Sequence, residues 1–122
     1  MSTEEKSAEF KENLKHATQA SGDEELARQF AEAAEFMGSL KDRSPPVNLS
    51  QDELLETYAL FKESVQNPPF DPKSEPTTWG FNFKGKYKFQ AWKKLHESGI
   101  TPAEAQKKYV EFVESLKQKY NL

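Results

Sequence analysis

Cysteine is absent from this chain of 122 residues, and histidine occurs only twice. Without cysteine there is no disulfide framework, no thiolate nucleophile and no cysteine-ligated metal site. His16 and His96 lie too far apart in sequence to form a local ligand motif, so no metal is expected. Long apolar runs are missing as well, and nothing approaches the roughly 20 residues that a membrane-spanning helix needs. The acidic start, with Glu4 and Glu5, does not suit a signal or transit peptide, which points to a mature intracellular chain. No segment alternates with period two for long enough to be a strand, and no internal repeat is present. What remains is a helical pattern in one strongly solvated domain, with mean hydropathy -0.90 and 30% charged residues.

Net charge is -3, but its sign divides along the chain. Residues 1–82 hold 8 Lys and Arg against 16 Asp and Glu, and residues 83–122 hold 9 against 4. A polyanion such as duplex DNA usually meets a domain that is basic as a whole. One basic segment in an acidic chain suits a small anionic ligand better.

Residues 1–22 are polar, and Phe10, Leu14 and Ala17 repeat at helical spacing while promising little burial. They read as an N-terminal extension, either weakly helical or disordered. From Asp23 the pattern of Leu26, Phe30, Ala33, Ala34, Met37 and Leu40 predicts a helix over 23–38, capped by Asp23 or Ser21 and stopped by Gly38 and Ser44-Pro45-Pro46. Ser50 and Glu53 form a capping box that opens a second helix over 51–66, with Leu54, Leu55, Tyr58, Phe61 and Val65 on its stripe. Four of the seven prolines then fall within residues 68–76, which predicts a long surface loop. A third helix starts at Asn82 or Phe83, carries Phe89, Ala91, Trp92 and Leu95, and ends at Ser98-Gly99. Thr101 and Glu104 make a second capping box, with Pro102 at the first position of a fourth helix carrying Ala105, Tyr109, Phe112, Val113, Leu116 and Tyr120. The fold class expected is all-α, with residues 23–122 forming the domain.

Two helices place lysines where apolar residues belong. Lys88 shares a helical face with Ala91, Trp92 and Leu95, and Lys84 lies one turn earlier on that face; Lys86 and Lys93 fall on the opposite side. Lys62 shares a stripe with Leu55, Tyr58 and Val65. Such lysines either snorkel to a rim beside a glutamate or meet an anion, because an unpaired buried ammonium is costly. Tyr58 and Tyr109 are equally two-sided, as satisfied core tyrosines or as walls of a polar groove. No Gly-x-Ser-x-Gly elbow, phosphate-cradling glycine loop or His-Glu-x-x-His motif is present, the carboxylates fall mostly on exposed faces, and His96 reads as a partner of its helix dipole. Enzymatic activity is therefore not expected.

The run Phe-Lys-Gly-Lys-Tyr-Lys-Phe-Gln-Ala-Trp at 83–92, with Tyr-Ala-Leu-Phe-Lys at 58–62 and the segment 105–109, closely resembles the acyl-CoA-binding proteins, the diazepam-binding-inhibitor-like family. The resemblance spans about residues 26–120. It implies a four-helix up-down-down-up bundle that binds one long-chain acyl-CoA without catalysis, as a carrier and pool former. It also implies a monomer that needs no cofactor, takes no nucleic acid and makes at most transient membrane contact. On this resemblance Tyr58, Lys62, Lys88 and Tyr109, with Lys84 beside them, hold the CoA phosphates and adenine. Phe30, Ala33, Ala34, Leu54, Leu55 and Tyr87 line the acyl groove. The chain departs from the family pattern at Phe61 and Phe89, where tyrosine and tryptophan are usual, at Tyr87, where a small residue is usual, and in longer connections on both sides of the second helix. A helical adaptor or a free-fatty-acid module using the same groove is the alternative, followed by a weak nucleic-acid binder.

Overall fold

The computed structural model describes residues 7–76 and 83–122. Five helices follow in order: α1 (Ala8–Ser21), α2 (Glu24–Ser39), α3 (Gln51–Val65), α4 (Phe83–Glu97) and α5 (Pro102–Tyr120). Short 3₁₀ turns lie at Leu40–Asp42 and Pro72–Ser74. The fold is all-α, and α2 to α5 are the four helices the periodicity predicts, each within a residue or so of its expected ends. Asn82, the other possible start of α4, lies outside the described residues.

The ends follow from local chemistry. Asp23, rather than Ser21, caps α2 by accepting from the Leu26 amide at 3.1 Å. Ser21 instead donates its hydroxyl to the Ala17 carbonyl. Both capping boxes form, with Glu53 and Glu104 reaching back to the Ser50 and Thr101 amides at 2.8 and 3.0 Å. Gly22 ends α1 at φ 72°, a left-handed conformation in which a side chain would be strained.

Of the two readings of the N-terminal segment the structure shows the helical one, with more burial than the spacing promises: residues 8–21 form a helix capped by Ser7, with Phe10 and Ala17 buried. The hydrophobic spacing was present, but its weight lay in small residues. Ala17 is completely covered because α1 lies close along α2 and also reaches α3 and α5. Gln106 of α5 adds a polar tie, its buried side-chain amide donating to the carbonyls of Ala17 and Ser64, both at 2.9 Å. One side chain thereby joins α1, α3 and α5.

Helix α3 is the hub, packed on α1, α4 and α5, while α2 packs on α1 and α5. Phe30 of α2 is fully buried, 5.6 Å from the Phe61 ring and 4.9 Å edge-on from Tyr109. Burying a phenylalanine side chain contributes about 1.5–3 kcal/mol, so this trio is a main anchor of α2 and α5 on α3. The described part of the α3–α4 connection, residues 66–76, is a loop with a short 3₁₀ turn at Pro72–Ser74. Phe70 folds back onto α4, with ring centroids 5.3 Å from Phe89, 5.2 Å from Trp92 and 4.9 Å from His96.

Candidate functional site

Where α3 meets α4, each helix places a lysine over an aromatic ring of the other. Lys62 Nζ of α3 lies 4.9 Å from the Trp92 ring centroid, and Lys88 Nζ of α4 lies 5.3 Å from that of Tyr58. The two rings meet edge to face, with centroids 6.4 Å apart. The reciprocal arrangement follows from sequence spacing. Tyr58 and Lys62 are one turn apart on α3, as Lys88 and Trp92 are on α4, so packing the two faces crosses the pairs. Cation–π contact makes partial burial of an ammonium tolerable without neutralising it.

Among the described residues neither Lys62 nor Lys88 has a carboxylate within ion-pair distance. Lysines elsewhere do: Lys86 with Glu75 at 4.0 Å, Lys117 with Glu114 at 3.1 Å and Lys119 with Glu53 at 2.7 Å. Burial lowers the Lys62 ammonium from its ordinary range and raises the Tyr58 hydroxyl. An anion arriving here would oppose the first shift and find charge-assisted donors already in place.

Beside the lysines opens a cleft of about 290 Å³ lined by Gln51, Leu54, Leu55, Lys84, Tyr87 and Lys88. Leu54 and Tyr87 are half exposed there, at 53% and 46%, although large apolar side chains are usually covered. Leu54 also walls a second cleft of about 350 Å³, whose other walls include Met37, Leu40, Pro46, Val47 and Leu49. A cationic end thus adjoins two apolar hollows that share one leucine.

The structure gathers Leu54, Leu55, Lys84, Tyr87 and Lys88 around one cleft, with Tyr58 and Lys62 joined to it through the crossed ring contacts. Other expected site residues lie elsewhere. Tyr109 is 2% exposed and packs on Phe30 and Phe61, and burial raises its hydroxyl well above the ordinary range. Phe30 and Ala33 are buried, and Ala34 packs against the same core, outside the cleft walls. Their apolar spacing marks the core and cannot by itself distinguish a groove from it.

Two side chains make contacts that helix spacing alone does not show. Glu63 is a carboxylate only 2% exposed, an exception to the mostly exposed acidic groups. His96 lies in the last turn of α4, as its helix-dipole reading places it, and also faces that carboxylate, its Nδ1 3.1 Å from Glu63 Oε1. No one-dimensional signal marked the pair, because the partners stand 33 residues apart on different helices. Met37 and Leu40 were visible as part of the α2 stripe, but their second role as cleft wall depends on the α2–α3 connection.

Among the described residues no group of three or more His, Asp or Glu could hold a metal ion, and no helix is long and apolar enough to cross a membrane. The family sequence model described as acyl CoA binding protein matches residues 27–113. An acyl-CoA-binding protein homolog from Manduca sexta is 42% identical over 91 residues, 75% of this chain and 90% of that one. The acyl-CoA-binding protein of Saccharomyces cerevisiae is 34% identical over 96 residues, 79% and 98% of the two chains. The crystal structure of Oryza sativa acyl-CoA-binding protein 2 superposes with a TM-score of 0.64 at 29% identity, covering 79% of this chain and 94% of that one. With lysines and apolar clefts on adjoining helices of a matching fold, the chain belongs to the acyl-CoA-binding protein family.

Proposed function

We propose that this chain binds one long-chain fatty acyl-CoA without chemical turnover and serves as a carrier and pool former in lipid metabolism. The observation that carries this function is the pair of lysines, Lys62 and Lys88, held over rings beside an apolar cleft and, among the described residues, without a carboxylate within ion-pair distance. A CoA head carries about four negative charges, its monoester phosphate counting for nearly two. Lys62, Lys88 and the more exposed Lys84 supply point charges to it, and Tyr58 supplies a ring and a hydroxyl. The acyl chain follows the Leu54, Leu55 and Tyr87 cleft and passes Leu54 toward Met37 and Leu40. Tyr109 contributes by supporting Phe30 and Phe61 and bears on the ligand only through that packing.

Residues 23–122 constitute the binding domain, and the chain acts as a cytoplasmic monomer that needs no cofactor. Nucleic acid is disfavoured because the uncompensated lysines form a pocket rather than a broad basic face. The deciding experiment is calorimetric titration with palmitoyl-CoA, CoA and palmitate in turn. Palmitoyl-CoA binds one to one and tightest, CoA measurably and palmitate weakly. Palmitate binding as tightly as palmitoyl-CoA would assign the cleft to free fatty acid and leave the lysines without a role.

A further inference from the structure

The buried carboxylate of Glu63 lies directly behind the crossed lysine pairs. Its Oε1 accepts the Trp92 indole N–H at 2.7 Å and stands 3.1 Å from His96 Nδ1. Its Oε2 accepts from Gln66 Nε2 at 3.3 Å. That amide also donates to the Glu63 carbonyl at 2.9 Å. Phe70 covers the far side, its ring edge-on to Trp92 and stacked on His96. A carboxylate taken out of water is costly, so a position that keeps one and surrounds it with two donors and an imidazole nitrogen is using these contacts for orientation.

The group it orients is the Trp92 indole. An indole has one N–H, and anchoring it selects one of the two ring flips open to a tryptophan. The fixed ring presents its face to Lys62 and meets Tyr58 edge to face, and Tyr58 in turn carries Lys88. We propose that Glu63, backed by His96, is a positioning residue that sets the Trp92 ring and through it the placement of Lys62 and Lys88 for the anionic head of the ligand. This proposal rests on the acyl-CoA function above only for the identity of the anion, since the placement of the lysines exists without ligand.

The test begins with the ligand-free full chain. The ε-methylene protons of Lys62 are shifted upfield by the Trp92 ring current, and the Trp92 indole N–H resonance reports its acceptor. Glu63→Met, close in volume and without an acceptor, moves the indole resonance and returns the Lys62 protons toward their unshielded position. It also weakens CoA and palmitoyl-CoA binding alike, by about tenfold, as loss of a well-placed charge contact requires. Glu63→Gln retains an acceptor and restores both readouts most of the way, which a simple charge effect or a general loosening would not do. Should Glu63→Met fail to fold, Trp92→Phe removes the same hydrogen bond from the other side, and CoA affinity falls comparably. An unchanged Lys62 shift in Glu63→Met, or wild-type CoA affinity in Trp92→Phe, overturns the proposal. If the wild-type chain binds neither CoA nor palmitoyl-CoA, the function fails while the Lys62 shift still decides the positioning.

Discussion

The two sides of α3 are finished differently. Toward α1, α2 and α5 the interior is closed by the chain's own groups: Phe30, Phe61 and Tyr109 fill one another's gaps, and Gln106 ties the carbonyls of Ala17 and Ser64. Toward α4 the chain supplies aromatic rings for Lys62 and Lys88 but, among the described residues, no carboxylate within ion-pair distance of either, and it leaves Leu54 and Tyr87 half exposed. The closed side gains stability from complementarity. The open side keeps its electrostatic and apolar deficits for a ligand to relieve, so substitutions on the first should act on folding and those on the second on binding.

The largest effect should come from the closed side. Phe10 is 4% exposed at the start of α1, and truncating a buried phenylalanine costs about 3–5 kcal/mol. Phe10→Ala should therefore lower stability by that order in urea unfolding while changing palmitoyl-CoA affinity less than about threefold at a temperature where the variant is folded, because the two faces are independent. A parallel collapse of affinity would show that α1 belongs to the binding machinery. An unchanged melt would make it a peripheral helix.

Next comes the open side itself. Lys88→Ala and Lys62→Ala each remove a charge-assisted contact worth about 1.5–3 kcal/mol and should weaken palmitoyl-CoA binding roughly ten- to a hundredfold. Lys93→Ala removes the same charge from the exposed face of α4 and should change affinity less than about threefold, since surface charges are screened. Added salt should weaken wild-type binding. Equal losses at Lys88 and Lys93 would mean that a diffuse basic surface, not a pocket, meets the anion.

The open side was the more legible one in sequence. A lysine at an apolar position breaks the helical pattern visibly, so Lys62 and Lys88 stood out from spacing alone, and the capping residues Ser50, Glu53, Thr101 and Glu104 marked helix starts through contacts three residues long. The closed side hid its essentials. Ala17 carries little hydrophobic weight, and its complete burial arises from close approach of helices, which no local pattern encodes. Gln106 looks like any surface glutamine until Ala17 and Ser64, 89 and 42 residues away, are brought to it. Glu63 is hidden for the same reason, and spacing narrows Tyr109 only to a core or a groove, since both place it on an apolar stripe; its place in the CoA site comes from the family resemblance alone.

A smaller effect concerns the apolar end of the open side. Tyr87 walls the cleft with Leu54 and Leu55, and its ring occupies space that an acyl chain could use. Tyr87→Ala should shift preference toward longer chains in a series of acyl-CoAs, at about 0.8 kcal/mol for each methylene newly buried. A preference that does not move would place the chain path away from Tyr87 and favour entry past Leu54 alone.

The smallest effect lies where the two sides meet, at the first turn of α3. Glu53 accepts from Lys119 at 2.7 Å, from the Tyr120 hydroxyl and from the Ser50 amide, and these contacts, Lys119 first, hold its carboxyl down at about 2, against an ordinary value of 4.5. A carboxyl whose pKa is depressed by folding stabilises the fold fully above its unfolded value. That contribution is lost as pH falls from about 4.5 toward 2, because the unfolded state takes up the proton first. Glu53→Gln keeps an oxygen for the Ser50 amide but no charge for Lys119. The stability difference between wild type and Glu53→Gln should be constant at neutral pH, shrink below about pH 4.5 and vanish only below about pH 2, while salt reduces it throughout because the pair is exposed to solvent screening. Since Glu53 ties α3 to the C-terminal end of α5 and precedes Leu54, the same variant also checks how far the two sides are separate. A loss confined to stability keeps the acid-sensitive contact on the closed side, whereas a comparable loss of palmitoyl-CoA affinity at neutral pH would mean that this contact also sets the position of Leu54 in the cleft.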